Sequence, residues 1–310
     1  LNLASGIYLI SDLGVGSNMN QFKTVALLGL LSGLLVLASY EVFGGVGGAT
    51  TGLVFAALMN LGSWYFSDKI ALAAYRAKPL EPDQAPALYQ MVKRLSAKAN
   101  IPTPALYLVP GQAANAFATG RDPEHAAVAV TEGILSALPE DELEGVIAHE
   151  LSHVLSRDTL TQAVAATIGG AISWLGDMIF WFGMGSRDND EGGGNPIGLL
   201  LTMFLAPISA TIIQLGISRT REFAADASAA RLTGKPMALA NALRRLEMSA
   251  QKMPMQGNPA FAPLLIVNPP VGKQLINLFA THPTTEARIE KLNELAQELA
   301  GVKVQGVLEA

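Results

Sequence analysis

VIAHELSHVL, residues 146–155, decides how this chain is to be read. The sequence holds four histidines, and two of them, His149 and His153, stand here with Glu150 beside the first. Each residue of an α-helix turns by about 100°, so His153 lies only about 40° from His149. Leu143, Ile147, Leu151, Val154 and Leu155 fall between about 120° and 240° from His149 on the same wheel. The histidine face and the apolar face are opposed, whereas histidines that merely filled a core would share the side of the leucines. Two imidazoles one turn apart can close on a zinc ion at about 2.0–2.1 Å. Glu150, about 100° around the helix, then stands beside the ion as a base for water rather than on it as a ligand.

The flanking residues supply helix punctuation. In LPEDELEGVIAHELSHVLSRD, Pro139 fits a first turn, Glu140, Asp141 and Glu142 complement the positive end of the helix dipole, and Arg157 complements the other end. A catalytic zinc takes three protein ligands and leaves one position for water. The chain has no cysteine, so the third ligand must be a histidine or an acid. His125 and His282 are candidates, although His125 sits in a DPEH turn and receives no role. The better candidate lies in SRTREFAADASAARL, residues 218–232, where Glu222 and Asp226 are spaced i, i+4 among alanines that permit close helix approach. Glu222 could bind the ion while Asp226 accepts a hydrogen bond from a ligand histidine. Taken alone, the two acids would equally suit a solvated pair balancing Arg219 and Arg221.

Composition points to a membrane. Half of the 310 residues are apolar and 15% are charged, against about 25% in ordinary soluble domains. The net charge of −5 gives no basic face for nucleic acid. Residues 1–18 precede Met19 and read as an N-terminal extension without function. Residues 24–40 carry no charge, and a second uncharged run ends at Phe66. Two spanning helices fit these runs better than a signal peptide, because no Ala-x-Ala exit follows the first. Residues 159–185, with Asp177 as their one charge, and uncharged residues 196–218 form a second pair. Lys23, Lys69, Arg76, Lys78, Arg157, Arg219 and Arg221 all lie on one side of the four runs, which the positive-inside rule assigns to the cytoplasm.

Between the runs, residues 85–99 read as an amphipathic helix, and residues 105–109, 115–120 and 126–131 as short strands. Residues 249–272, with prolines at 254, 259, 263, 269 and 270, read as a loop or flap. The expected fold is therefore mainly α with a small β-sheet (α+β), zincin-like, and anchored by about four transmembrane or hairpin helices. Its expected parts are the extension 1–18, two transmembrane helices in 19–68, a first protease part in 69–158, a second hairpin in 159–218 and a second protease part in 219–310.

HELSH at residues 149–153, SRTREFAADA at 218–227, NAFATG at 115–120 and THPTTEARI at 281–289 together resemble the HtpX family of gluzincin-type membrane zinc metalloproteases, over residues 19 to about 294. The resemblance implies one Zn2+ held by His149, His153 and Glu222, with Glu150 as general base and Asp226 supporting a ligand histidine. It further implies that His282 sits near the zinc, where it stabilises the oxyanion, and that Asn115 lies on a strand lining the substrate cleft. The family usually reads THPP where this chain has THPT. The implied protein is a multi-pass enzyme of the bacterial plasma (inner) membrane. Its substrates would be polypeptides, above all misfolded or damaged membrane proteins cut on the cytoplasmic side. A non-catalytic, zinc-stabilised membrane adaptor is the alternative. An intramembrane protease fits poorly, because residues 139–144 are too acidic for a bilayer.

Overall fold

The computed structural model describes residues 22–33, 35–37, 39–40, 44–170, 219–255, 259–267 and 283–308. The extension at 1–18, most of the second apolar hairpin (171–218) and His282 lie outside them.

Helix α1, Gly45–Tyr65, follows from an uncharged run of 21 residues, about 31 Å long at 1.5 Å per residue. It is the one helix among the described residues that is long and apolar enough to cross a membrane. Leu53, Phe55, Leu58 and Leu61 project outward, while Gly48, Gly52, Ala56 and Ser63 are buried. This small-residue stripe lets the shorter apolar helix Phe22–Leu37 and the residues after it lie very close. A Cβ at Gly52 would come within 2.8 Å of the Leu35 carbonyl oxygen. Asn60 Nδ2 donates to Ser32 Oγ at 2.8 Å across the same seam. Of the two spanning helices expected within residues 19–68, α1 thus has the required length and its partner is shorter.

A short helix α2, Ser67–Ala74, leads into a four-stranded mixed sheet of order β1-β2-β4-β3. The strands are β1 Lys78–Pro79, β2 Ala105–Val109, β3 Ala116–Gly120 and β4 Ala126–Thr131. β2 and β4 run parallel, and the other pairs are antiparallel. Helix α3, Pro86–Lys98, buries Leu88, Met91, Val92 and Leu95 on one face. A one-and-a-half-turn helix α4, Glu132–Ala137, begins where the Thr131 hydroxyl accepts from the Ile134 amide.

Helix α5, Glu140–Leu155, is the hub. Helices α6 (Arg219–Thr233) and α7 (Pro236–Lys252) pack against it, α8 (Thr285–Leu308) packs on those two, and β3 lies along it. Gly145 lies where α7 crosses, and a Cβ there would meet Leu239 Cα at 3.1 Å, tighter than an ordinary contact. The wheel argument anticipated an apolar face opposed to a polar one. Every residue of α5 from Glu142 to Val154 is in fact buried, because α6 and α8 cover the histidine face as the rest of the core covers the leucines. After a left-handed residue at Arg157 (φ 57°), residues 158–170 are again helical. Val164, Ala165 and Ile168 of that run pack against Leu27 and Leu31.

The loop expected at residues 249–272 needs correcting at both ends of its described part. α7 continues to Lys252 and stops one residue before Pro254, where a following proline disfavours helical backbone. Residues Pro259–Leu264 form a 3-10 turn. Phe261, Leu264 and Leu265 of this segment are buried against Phe117 and Tyr75, a use of apolar side chains that the proline count concealed.

Charge clamps fix α5 against its neighbours. Glu144 accepts from Arg94 Nη2 of α3 and from Lys235 Nζ ahead of α7, both at 2.8 Å. Burial would raise the Glu144 pKa, but the Lys235 and Arg94 hydrogen bonds outweigh it and hold the carboxyl below its usual range. A depressed carboxyl pKa contributes stability above the unfolded-state value and loses it as pH falls through the folded value. Glu144→Gln is expected to lower unfolding stability by about 1 kcal/mol at pH 7, a modest loss because both cations also reach solvent. The difference from wild type should shrink below the ordinary value of 4.5. Denaturation of both proteins in detergent at pH 7 and at about pH 3.5 measures it, and a pH-independent difference would refute the clamp.

Candidate metal centre

Helices α5 and α6 pack together because α6 presents Ala225, Ala229 and Ala230 to the core. The i, i+4 spacing then turns Glu222 and Asp226 inward together, and both are fully buried against the α5 histidines. His149 Nε2 and His153 Nε2 lie 3.1 Å apart. Glu222 Oε2 is 3.7 Å from the first and Glu222 Oε1 is 3.5 Å from the second. One ligand atom from each of the three residues falls within 4.8 Å of the other two.

The outer partners decide what the gap between these atoms can hold. His149 Nδ1 is 2.9 Å from Asp226 Oδ1, and His153 Nδ1 is 3.0 Å from Asp158 Oδ2. A carboxylate on Nδ1 keeps the proton there and leaves the Nε2 lone pair free to bind an ion. Two lone pairs and a carboxylate therefore face one another in a dry interior, a grouping of acceptors that calls for a cation. A tetrahedral ion with ligands about 2.0–2.2 Å away sets them roughly 3.3–3.6 Å apart, close to the separations found. The residues fit a divalent metal.

The surrounding charges agree. Burial works to lower the His153 pKa, yet Glu222, Asp158 and Glu150 carry it up to about 9, so the surrounding carboxylates favour positive charge at this ring. Burial and the Arg288 charge bring His149 down to about 4, against Asp226. Burial and the nearby Glu222 push Glu150 up to about 7, opposed by His153, a backbone hydrogen bond from Ala118, and Arg288.

Two members of the cluster were not singled out in the sequence. Arg288, on α8, is 2% exposed, and donates from Nε and Nη2 to Asp226 at 2.8 and 2.6 Å. Its Nη2 also lies 3.3 Å from His149 Nδ1. Burial would raise the Asp226 pKa, and this guanidinium reverses the shift. Asp158 follows the reversal at Arg157, and its second oxygen accepts from Arg221 Nη2 at 2.6 Å. An acid just beyond the end of a histidine-bearing helix was the available signal for Asp158. For Arg288 it was an arginine at a helix start that otherwise feeds the core.

Asn115 precedes β3 and is 2% exposed. Its Oδ1 accepts from the Ala116 amide at 3.0 Å and its Nδ2 donates to the Val267 carbonyl at 2.8 Å. His125 is exposed and bonded to Asp122, away from the cluster.

Residues 82–296 match the model of Peptidase family M48. A protein named Protease HtpX homolog from Trichormus variabilis is 66% identical over 284 residues, covering 90% of this chain and 98% of the relative. The same name is carried by a Persephonella marina protein, 48% identical over 289 residues (92% of this chain, 100% of the relative). The crystal structure of S. mikatae Ste24p aligns with a TM-score of 0.49 and 18% identity, over 91% of this chain and 67% of that one.

Partners of metal-bound histidines typically contribute 10–100-fold in metal affinity. Asp158→Asn is therefore expected to weaken binding of one divalent ion by about that factor while leaving the helical circular-dichroism signal intact. Competition with a chromophoric chelator reads the affinity, and an unchanged value would remove Asp158 from the site.

Proposed function

The chain belongs to peptidase family M48 and is a metalloprotease, and from that premise we propose that it is a membrane-anchored zinc endopeptidase whose site is built from His149, His153 and Glu222. The observation that carries this reading is the convergence of those three buried side chains, from two helices, at spacings that suit one tetrahedral ion. Two imidazole nitrogens and a carboxylate oxygen are a donor set typical of catalytic zinc. A bound ion supplies positive charge that polarises a scissile carbonyl and acidifies water.

The chain's own groups do the rest. Glu150 points from α5 toward β3, buried and bonded to Ala118, at hydrogen-bonding reach of that edge. There its carboxylate takes the proton of the attacking water and passes it to the leaving amine nitrogen. Asp226 and Asp158 orient the two ligand imidazoles, and Arg288 fixes Asp226. His282 is assigned to the oxyanion by the family resemblance alone. An extended polypeptide alongside β3 would be held by main-chain pairing that is nearly blind to sequence, which supports broad choice of substrate, misfolded and damaged membrane proteins included.

Anchorage rests on α1, whose exposed apolar side chains face outward around most of its circumference. Lys69, Arg76 and Lys78 follow α1, which favours a cytoplasmic location for the peptidase unit in a bacterial plasma membrane. That unit is discontinuous. Residues 69–158 contribute the sheet and the helix bearing His149 and His153, and residues 219–310 contribute Glu222, with the second hairpin (159–218) between them.

Glu150→Gln should retain about one zinc per chain and lose about 10²–10⁴-fold in hydrolysis of unfolded casein. Hydrolysis persisting at the wild-type rate would remove Glu150 from the mechanism, and so would favour the adaptor reading of the zinc. The absence of cysteine allows a direct test of orientation. A single cysteine at exposed Glu81 should react with a membrane-impermeant maleimide only after the cytoplasmic face is opened, and labelling of intact spheroplasts would invert the topology.

A further inference from the structure

Residues 265–267 leave the turn Pro259–Leu264 and run beside the free edge of β3. The Ile266 amide donates to the Ala116 carbonyl at 3.1 Å. Arg288 Nη1 donates to the Ile266 carbonyl at 3.1 Å, and Asn115 Nδ2 donates to the Val267 carbonyl at 2.8 Å. Successive main-chain groups of one short segment are thus satisfied by the edge strand and by two buried polar side chains. An edge strand holds an extended peptide in this manner. The groups that hold it belong to the site: Arg288 grips Asp226, and Ala118, two residues along β3, is bonded to Glu150.

The segment is not a fifth strand. Among the described residues the sheet has four strands, and the main-chain bond between this strap and β3 is the one at Ala116, so the remaining grip comes from side chains. Leu265 and Ile266 are 1% and 2% exposed, which seals the cleft at this end.

We propose that residues 265–267 are an internal occupant of the peptide-binding edge, held as a substrate backbone would be, and that they must peel from Ala116 before a polypeptide can pair along β3. This rests on the reading of the β3 cleft as a polypeptide site. A tethered occupant competes at an effective concentration in the millimolar range. If the strap is lifted in about one molecule in ten, the apparent affinity for polypeptide falls about tenfold. Healthy, folded proteins that present no extended segment then have nothing with which to displace it.

The test uses the zinc-loaded protein in detergent and a fluorescein-labelled peptide of residues 262–267, APLLIV, which contains the strap. In the Glu150→Gln protein, which keeps the strap unaltered, saturating peptide should raise hydrogen exchange at the Ile266 amide. Ile266→Pro, which deletes the donor to Ala116, should bind the peptide about tenfold more tightly by fluorescence anisotropy. Phe261→Ala, which loosens the turn without removing any main-chain donor, should do the same. Peptide bound with Ile266 as protected as before, or equal affinity for wild type and both variants, would make the strap a fixed wall and overturn the proposal. Lack of peptide binding by every form would overturn it as well. The exchange measurement requires no substitution within the strap, so a misfolded variant leaves it decisive. Hydrolysis is read separately on proteins that retain Glu150. Strap variants that bind more tightly yet cut nothing would remove the peptidase reading and leave the occupant in place.

Discussion

Two imidazole nitrogens 3.1 Å apart, both facing a carboxylate in a dry interior, form an arrangement that is stable only around a positive charge. Much of the fold exists to hold it. α5 and α6 approach through alanines, and Gly145 brings α7 onto the same helix. Carboxylates behind the rings keep each Nε2 pointed inward.

Charge bookkeeping around the gap reaches the same answer independently of distance. Glu150, Glu222, Asp226 and Asp158 are buried carboxylates, while Arg288 and the largely buried Arg221 are the guanidiniums among them. Were both histidines neutral and all four acids ionised, these groups would carry two negative charges in excess, the charge of one divalent ion. Leaving such an excess uncompensated in the interior is strongly unfavourable. Arg288 is therefore as much part of the cluster as the histidines, since its guanidinium holds the buried Asp226 carboxyl below its usual range beside His149.

The parts of this architecture that repeat locally were legible in the sequence. Residues 105–109 and 126–131 are strands over their full expected lengths, and α3 differs from the expected 85–99 by one residue at each end. Helical spacing exposed His149, Glu150 and His153, and the need for a third ligand singled out Glu222. What failed were inferences that treat an element in isolation. The wheel of α5 separated a histidine face from an apolar one but could not tell that later helices bury the histidine face as well. Arg288 lies 62 residues beyond its partner Asp226, and no periodicity encodes a pairing at that range. Of the second apolar run only residues 159–170 are described, and there Val164 and Ala165 are packed inside protein. The strap was hidden for a related reason, because the prolines on either side of it advertise a loop while its hydrogen bonds depend on Ala116, Asn115 and Arg288 elsewhere.

The helical run at residues 158–170 begins with Asp158, behind His153, and three residues later Thr161 bonds the Thr24 hydroxyl of the first apolar helix at 2.9 Å. Anchor and catalytic apparatus are thus joined by a rigid strut only one turn long. Cutting the first apolar helix away would therefore take from the run 158–170 both the hydroxyl partner of Thr161 and the apolar wall on which Val164 and Ile168 rest.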